Sequence, residues 1–259
     1  MRVVSVDEMR AIERRADEQY GLDSPTLMLH AGRSVAEALC ERLDGDVRGL
    51  HIVTLAGPGN NGGDGRVMNR SLSEWGAQIT TWRWRDNVIE SAAGEAPAGD
   101  DLAALRAALA EADVVVDALL GTGHTRPLDP RMRQALALVG AARERQALQA
   151  QPGRPRPFVL AVDLPSGVNA DTGAVDEGAL PADLTVTLAY PKMGLMLFPG
   201  AGYLGALVVG SIGLPDDMPS APGLDLLSAV EARALLPQRL ADSNKGTYGK
   251  VMVLAGSPQ

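Results

Sequence analysis

Three short segments of the sequence hold most of the residues that could do chemistry. They lie at residues 60–64, 117–123 and 163–167, and each comes shortly after a run of apolar residues. Together they supply amide, carboxylate and hydroxyl oxygens, and they contain glycines that let the backbone approach a ligand closely. Such residues can hold a hard cation or a hydroxylated ligand, and a carboxylate among them can transfer a proton.

The first segment has the spacing of a dinucleotide-binding loop. Residues 57–62 satisfy the pattern GxGxxG, in which a glycine turn and a helix N-terminus bind a pyrophosphate. Asn60 and Asn61 fill the variable positions and add amide oxygens and donors. Asp64 is expected in the first helical turn, where a carboxylate caps the helix well but repels a pyrophosphate. A glycine-rich connection with Asp64 as a plain cap is the structural alternative.

The second and third segments begin with carboxylates in equivalent places. Asp117 and Asp163 both lie at the end of an apolar run that predicts a buried strand. A carboxylate at such a strand end either faces a ligand-binding crevice or holds the N–H groups of a neighbouring loop. For each residue taken alone, the sequence leaves both interpretations open.

Strands that alternate with helices must position these segments. Apolar and β-branched runs predict strands at 51–56, 78–84, 113–119, 158–164, 184–189 and 206–212. Helices are predicted at 62–75, 102–110, 129–146 and 227–235, with two more before the first strand, one opened by a Ser5–Glu8 capping box and one by Ser24-Pro25. Residues 86–100 and 147–157 are predicted loops. The predicted fold is a Rossmann-like α/β three-layer αβα sandwich with a mostly parallel sheet, which binds ligands beyond the carboxyl ends of its strands.

The composition narrows the class of partner. A chain of 259 residues is expected to form one large domain, or one domain plus a fragment. Its net charge of −8 and its pI near 4.9 argue against nucleic acid as the partner. Cys40 is the sole cysteine, so an intrachain disulfide is excluded, and it is expected in the core. No apolar run approaches the ~20 residues that span a bilayer, and no signal peptide is visible, so a cytoplasmic protein is expected.

Four stretches of sequence together resemble the NAD(P)H-hydrate epimerase family. They read GPGNNGGDG, DALLGTGHTRPL, VDLPSGVNADTG, and YPKMG with GSIGLP after it. The resemblance implies an epimerase domain over 1–214. The prolines around the short helix after it predict a linker over 215–240. The stretch KGTYGKVMVLAGS resembles the opening of the ADP-dependent NAD(P)H-hydrate dehydratase domain. Residues 241–259 are therefore expected to be a truncated start of that domain, without dehydratase activity.

The resemblance implies an isomerase that repairs damaged nicotinamide cofactors. Water adds to C6 of the reduced nicotinamide ring, and the epimerase interconverts the R and S hydrates so that an S-specific dehydratase can restore both. By resemblance, the hydrate of NADH or NADPH is bound by Asn60, Asn61, Gly62, Gly63, Asp64, Gly121, Thr122, Gly123, His124, Thr125, Arg126, Pro127 and Asp163. A potassium ion (K⁺) is implied at Asn61, Asp117 and Ser166, whose amide, carboxylate and hydroxyl oxygens suit a hard cation.

Asp163 and Lys192 are the predicted catalytic residues. Inversion at C6 breaks and re-forms a C–O or C–N bond and needs a proton transfer near the hydroxyl. Asp163, at a strand end beside a small tight turn, is the expected general acid/base. Lys192 matches the family motif YPKMG and is expected to stabilise charge or bind substrate, with an exposed loop lysine as the alternative. His30 and His124 depart from the family pattern and receive no catalytic role; His30 is expected to be buried or at an interface.

Two other functions compete with the epimerase. A dehydrogenase that uses GxGxxG needs an acidic residue at the end of the second strand to hold the ribose, and Asp86 is a candidate. A hydride-transfer assay would separate the two enzymes. The second alternative is a non-catalytic binding protein on the same fold, against which the presence of Asp163 and Asn61 argues. The sequence does not give the oligomeric state, although the apolar N-terminal helices are compatible with a homodimer.

Overall fold

The computed structural model describes most of the chain. The described residues are 1–86, 88–91, 94–95, 101–124, 126–149, 156–215, 218, 224–227, 229–237, 241–244, 246–253 and 255. They form two compact units, one over Arg2–Leu224 and one that comprises Met1 and Asp225–Gln259. The elements in chain order are β1 (Arg2–Val3), α1 (Val6–Tyr20), α2 (Ser24–Arg42), β2 (His51–Ala56), α3 (Asn60–Glu74), β3 (Gln78–Arg83), β4 (Val88–Ser91), β5 (Gly94–Glu95), α4 (Asp101–Glu111), β6 (Val114–Ala118), α5 (Pro130–Gln149), β7 (Phe158–Val162), β8 (Leu184–Leu188), β9 (Ala206–Gly210), β10 (Leu224–Asp225) and α6 (Ala229–Leu235). Two 3-10 helices, Met193–Met196 and Gly200–Tyr203, lie between β8 and β9.

A mixed sheet runs through the larger unit. Its eight strands lie in the order β5-β4-β3-β2-β6-β7-β8-β9. The strands from β3 to β9 in this order are parallel to their neighbours, whereas β4 and β5 add to the β3 edge in antiparallel fashion. Helices α2 and α3 cover one face and α4 and α5 cover the other. The prediction of a Rossmann-like α/β sandwich with a mostly parallel sheet is confirmed.

The central strands are continuous apolar runs because helices cover both of their faces. Every residue of β6 is buried, and successive side chains point to opposite faces. Val116 belongs to the apolar cluster that contains Leu39 of α2 and Met68 of α3. Val115 belongs to the cluster on the other face, with Leu105 of α4. The two clusters hold the ends of the central strands in fixed positions.

The strand order brings the three candidate segments to one edge of the sheet. After β3 the chain returns and places β6 on the other side of β2, so the direction of the strand order reverses between β2 and β6. A crevice forms beyond the carboxyl ends of the strands at such a point. Since β7 lies beside β6, the segments at 60–64, 117–123 and 163–167 all reach this crevice.

The N-terminal helices pack within the chain. The predicted capping box is present, since the Ser5 Oγ accepts from the Glu8 N–H at 3.2 Å and the Glu8 Oε2 accepts from the Ser5 N–H at 2.6 Å. Ile12 of α1 and Ala31 of α2 share one buried apolar cluster. Because these apolar faces are already covered, they do not require a second copy of the chain. The homodimer therefore stays a prediction.

Two loop predictions are wrong in part. Residues 86–100 contain β4 and β5, and Ile89 lies opposite Trp82 in the antiparallel pairing of β4 with β3. These strands are too short for sequence periodicity to separate them from a loop. Helix α5 continues to Gln149 and so takes up the start of the loop predicted at 147–157. Residues 150–155 of that loop lie outside the described residues.

Two single-residue predictions also need correction. Cys40 is half-buried and packs against the core cluster of α2 and α3 rather than lying inside it. His30 is exposed, and its ring lies against Gly213, where a Cβ would come 3.0 Å from ring carbons. The expectation that His30 is buried within the chain is wrong.

The smaller unit contains the predicted short helix, found as α6. Residues 251–253 are exposed and irregular, and the described residues after α6 contain no strand. The division into an epimerase domain at 1–214, a linker at 215–240 and a dehydratase-like start at 241–259 stays a prediction. In the described part of the chain, no helix is both long and apolar enough to cross a membrane.

Candidate active site

A cavity of about 540 Å³ lies beyond the carboxyl ends of β2, β6 and β7. It brings together predicted site residues from all three segments and from the YPKMG motif. These are Asn60, Asn61, Asp64, Gly121, Thr122, Gly123, His124, Asp163 and Lys192. Its volume lies within the roughly 300–1,000 Å³ that is usual for sites that bind small molecules. The expectation that distant segments meet in one cavity is therefore correct.

Asp163 and Lys192 form a buried ion pair in this cavity. The Lys192 side chain is 1% exposed, and its Nζ donates to the Asp163 Oδ1 at 2.5 Å. The same ammonium group donates to the Leu188 carbonyl at 2.8 Å and to the Thr187 Oγ1 at 3.3 Å. All three donors of the ammonium group are thus used. The alternative of an exposed loop lysine is wrong.

The backbone around this pair fixes both side chains. Asp163 has a φ of +67°, in the left-handed region that few non-glycine residues adopt. The Leu188 N–H donates to the Asp163 Oδ1 at 3.2 Å, which ties the carboxylate to the end of β8. On the other side, the Val4 N–H donates to the Pro191 carbonyl at 3.0 Å and so holds the chain just before Lys192. These bonds hold the carboxylate in one orientation toward the cavity.

The glycine turns after β2 and β6 touch through their backbones. The Gly57 N–H donates to the Ala118 carbonyl at 3.0 Å. A Cβ on Gly57 would lie 1.7 Å from the Leu119 carbonyl oxygen, and a Cβ on Gly62 would lie 2.0 Å from the Gly57 carbonyl oxygen. Only glycine permits this approach, because neither backbone oxygen can move away without moving its strand end.

Replacing Gly57 with alanine should therefore damage the site. The added methyl group must displace the backbone at Leu119, and we expect a loss of about 1–3 kcal/mol or more of unfolding free energy. Gly59→Ala is the matched control, because its Cβ would meet nothing within 4 Å. Thermal unfolding should show a clear drop in Tm for the first variant and a small one for the second. Equal Tm values would mean that the two turns are not in contact.

Asp117 connects the loops that follow β6 and β7. It is 3% exposed, and its Oδ2 accepts from the Ser166 N–H at 2.7 Å while its Oδ1 accepts from the Ser166 hydroxyl at 2.6 Å. The Ser166 Oγ in turn accepts from the Leu120 N–H at 3.0 Å. Burial raises the pKa of Asp117, and the hydrogen bonds from Ser166 and Leu119 oppose that rise. Asp117 thus holds a neighbouring loop, as the structural alternative expected.

Asn61 differs from these residues because its amide is buried without a partner. It is 6% exposed, and neither its Oδ1 nor its Nδ2 forms a hydrogen bond with any described residue. The side chain lies against Gly121, where a Cβ would come 3.5 Å from the Oδ1. An unsatisfied buried polar group costs about 1–3 kcal/mol, so a ligand for this amide is expected. Within the described residues, no group of three or more His, Cys, Asp or Glu side chains is placed to hold a metal ion.

Asp64 belongs to α3 and faces the same cavity. The helix begins at Asn60 with Gly59 as a cap that uses no side chain, so Asp64 is the fifth helical residue and the plain-cap interpretation is wrong. Burial raises its pKa to about 8, with smaller increases from Asp163 and Glu13 and with Lys192 and Arg66 acting in the opposite direction. A carboxyl group of this kind carries a proton at neutral pH.

Helix α1 supplies lining residues that the sequence analysis missed. Four charged residues of α1 reach the rim of the cavity: Arg10, Glu13, Arg14 and Asp17. Desolvation in the cavity mouth raises the pKa of Glu13, although its side chain keeps contact with solvent. Their spacing places them on the polar face of an amphipathic helix, and an ordinary solvent-exposed helix face has the same spacing. Only the packing of α1 over the strand ends shows that this face borders a cavity.

The remaining predicted site residues lie elsewhere. Arg126 and Pro127 line a second cavity of about 210 Å³, and His124 lies between the two cavities because it lines both. Gly62 and Gly63 are buried in α3 and line neither cavity. Thr125 lies outside the described residues. The dehydrogenase alternative is not favoured, because Asp86 is exposed and pairs with Arg83 instead of lining either cavity.

Comparisons with known proteins agree with this arrangement. Residues 24–194 match the family described as YjeF-related protein N-terminus. The bifunctional NAD(P)H-hydrate repair enzyme Nnr of Thermofilum pendens is 35% identical over 99% of this chain and 48% of its own length. The NAD(P)H-hydrate epimerase of Limosilactobacillus fermentum is 32% identical over 83% of this chain and 96% of its own length. The crystal structure of yeast ynu0, YNL200c, has a similar fold, with a TM-score of 0.59 and 23% identity over 76% of this chain and 84% of that chain.

These matches differ in how much of each relative they cover. The chain spans about half the length of the bifunctional relatives, as the 48% covered in the Thermofilum pendens enzyme illustrates. It spans nearly all of the Limosilactobacillus fermentum protein. The family match contains all three glycine-rich segments and Lys192. The chain is therefore a member of the YjeF-related N-terminal family, and the resemblance to NAD(P)H-hydrate epimerases is confirmed.

Proposed function

We propose that this chain epimerises the R and S forms of NAD(P)H-hydrate at C6 of the nicotinamide ring. The observation that carries the proposal is the buried Asp163–Lys192 pair, which faces a cavity formed by three strand-end segments. The names of the relatives support the choice of substrate. Repair of the R hydrate then requires an S-specific dehydratase activity, to which this chain would be coupled functionally.

The proposed reaction assigns Asp163 to the proton of the C6 hydroxyl. Inversion breaks either the C6–O or the C6–N1 bond and re-forms it on the other face of the ring. Asp163 exchanges the hydroxyl proton as this bond changes, and general acid–base catalysis of this kind contributes about 10²–10⁴-fold. Lys192 keeps the carboxylate in place and balances its charge where both side chains are buried.

The remaining lining residues would hold the dinucleotide. The free N–H groups at the start of α3, beside Asn60, form an anion site that suits a phosphate group. Arg10 and Arg14 at the rim add positive charge close to that site. The opposing turn at Gly121 and Gly123 allows the backbone to lie against the substrate. The second cavity, with Arg126 and Pro127, would take a more distant part of the molecule.

We also propose a potassium ion at three residues whose donor types suit it. Asn61, Asp117 and Ser166 would hold it through amide, carboxylate and hydroxyl oxygens, the ligands that hard cations prefer. The buried Asn61 amide, which has no partner among the described residues, supports the assignment. When bound, the ion would supply a fixed positive charge near the substrate oxygens.

Potassium should stabilise the protein measurably. Because K⁺ would bind the folded state only, we expect it to raise Tm relative to tetramethylammonium at equal ionic strength. Asn61→Ala and Ser166→Ala should remove this difference, whereas Asn244→Ala in the smaller unit should keep it. A potassium-dependent rise in Tm that survives in the Asn61 variant would place the ion elsewhere.

A coupled assay tests the proposed activity. An equal mixture of R and S hydrates is incubated with an S-specific dehydratase, with and without this chain. The dehydratase alone should restore only the S half, and added chain should allow all of the hydrate to be restored faster than spontaneous epimerisation does. Restoration that stays at half would exclude the epimerase, and hydride transfer to or from a nicotinamide cofactor would instead favour the dehydrogenase.

A further inference from the structure

Asp64 is unusual among the buried aspartates of the described residues. These are Asp64, Asp101, Asp117 and Asp163. Asp101 accepts from the Trp82 Nε1 at 2.7 Å and also pairs with Arg131. Asp117 accepts hydrogen bonds from Ser166. Asp163 accepts a hydrogen bond from Lys192. Asp64 is 6% exposed, and no hydrogen bond is among the influences on the pKa of its carboxyl group, which are burial and the charges of its neighbours. A buried carboxyl group without a partner is costly unless it is neutral or meets a ligand.

The surroundings of Asp64 favour its neutral form. Its pKa is raised to about 8, chiefly by burial and also by the charges of Asp163 and Glu13, against the influence of Lys192 and Arg66. The other charged or titratable groups that line the cavity are Arg10, Arg14 and Asp17 of α1 and His124 of the loop after β6. Asp163, by contrast, has a cation on its carboxylate. Two carboxyl groups whose environments differ in this way can divide the roles of acid and base.

We propose that Asp64 is a second catalytic group, which donates a proton to the substrate while Asp163 accepts one. The proposal rests on the epimerase function and assigns a residue that sequence resemblance gave only to substrate binding. Its basis is the position of Asp64 on the cavity wall together with its lack of any partner in the described structure. An unpartnered proton donor in a cavity is available to the ligand.

The proton balance of the reaction requires both groups. Asp163 takes the proton of the C6 hydroxyl, the electron pair of the C6–N1 bond moves to N1, and Asp64 delivers its proton to N1. The product is an open-chain aldehyde, which rotates about the C5–C6 bond. N1 then attacks the other face of the aldehyde carbon, returns its proton to Asp64, and the oxygen regains its proton from Asp163. If the C6–O bond breaks instead, the Asp64 proton leaves with the hydroxyl as water and a C6–N1 iminium ion remains. Water then adds to the other face of C6 and gives a proton to Asp163, and a proton passes from Asp163 to Asp64 to restore both groups.

Asp64→Asn tests the proposal, since asparagine keeps the shape and cannot transfer the proton. We expect kcat to fall by about 10²–10³-fold, with KM changed far less. The wild-type kcat should also fall as pH rises through the pKa of about 8, and this alkaline decline should be absent from the residual activity of the variant. Asp101→Asn is the matched control: it alters a buried aspartate that lines neither cavity, so it should lower Tm but keep kcat and the alkaline decline.

The Tm of Asp64→Asn at alkaline pH is a second test, because a purely structural role of Asp64 predicts the opposite change in Tm. Because the pKa of Asp64 rises from 3.8 to about 8 on folding, its contribution to stability is full below 3.8 and is lost as pH rises toward 8. Asp64→Asn should therefore raise Tm at alkaline pH. If Asp64 instead supported the fold, the variant would lose stability there.

The outcomes separate this proposal from the proposed function. A wild-type chain that does not epimerise the hydrate would overturn both. An active wild type whose Asp64→Asn variant keeps full kcat, or whose own kcat does not decline at alkaline pH, would overturn only the role of Asp64. If Asp64→Asn does not fold, Asp64→Glu decides, because a retained carboxyl group should keep activity and the alkaline decline together.

Discussion

Replacing Asp163 with asparagine is expected to abolish epimerisation while the fold survives. Asparagine tolerates the left-handed backbone that Asp163 adopts, with its φ of +67°, and it has nearly the same shape. It cannot exchange the hydroxyl proton, and Lys192 then faces an amide in place of a carboxylate. We expect kcat to fall by at least about 10³-fold, measured as conversion of the R hydrate above the uncatalysed rate.

Asp44→Asn is a close control for this variant. Asp44 also has a left-handed φ, of +59°, but it is exposed in the turn after α2 and lines neither cavity. The same substitution there should leave kcat and Tm near the wild-type values. If Asp163→Asn retained wild-type turnover with an unchanged Tm, Asp163 would have no part in proton transfer, and the acid/base assignment would have to move to another lining residue.

Removing the ammonium group of Lys192 should have the largest effect on stability. Lys192→Met keeps the apolar stem but leaves the Asp163 carboxylate buried beside the emptied position. Breaking a buried ion pair by deleting one partner costs about 3–5 kcal/mol, because the remaining charge is uncompensated. Chemical denaturation should show a midpoint well below that of the wild type, and epimerisation by the folded fraction should be strongly reduced.

The double variant Asp163→Asn/Lys192→Met shows whether Lys192→Met loses stability through the broken ion pair or through lost packing. Without the carboxylate, no charge is left unpaired at this position, so the double variant should be more stable than Lys192→Met alone. It should remain inactive, because the proton-transfer group is absent. If the two single losses of unfolding free energy simply added, the side chains would not be interacting, contrary to the hydrogen bond between them.

The central part of the fold could be predicted from sequence because it depends on local signals. The apolar runs that form β2, β6 and β7 are bounded by glycine turns, and the Ser5 capping box fixed the start of α1. Once parallel strands were expected, polar residues at their carboxyl ends had to lie near one another. This geometry, not any single motif, placed Asp117 and Asp163 at the same edge.

The electrostatic details could not be predicted because they arise between residues far apart in sequence. The partner of Lys192 is 29 residues away, and its burial depends on where the chain before it is held by Val4. The sequence predicts Asp64 in the first helical turn because it predicts a helix start at residue 62, whereas α3 begins at Asn60. The short strands β4 and β5 carry too few residues for periodicity to reveal them.

The contribution of α1 to the site was also beyond the reach of sequence patterns. Its polar face, with Arg10 and Glu13, has the composition of an ordinary solvated surface, and only tertiary packing turns it toward the cavity. Likewise, the resemblance predicts that 121–127 bind the substrate as one segment. In the structure, Thr122 and Gly123 line the larger cavity, whereas Arg126 and Pro127 line the smaller one. A turn can divide its residues between two surfaces without any sign in its sequence.

The most direct measurement follows the purified R hydrate by chromatography in the presence of this chain alone, in potassium-containing buffer. The wild-type chain should carry it to an equilibrium mixture with the S hydrate well above the spontaneous rate, while Asp163→Asn should not exceed that rate. A wild-type chain that leaves the R hydrate at its spontaneous rate, or an Asp163 variant that equals the wild type, would contradict the assignment of this cavity as an epimerase site.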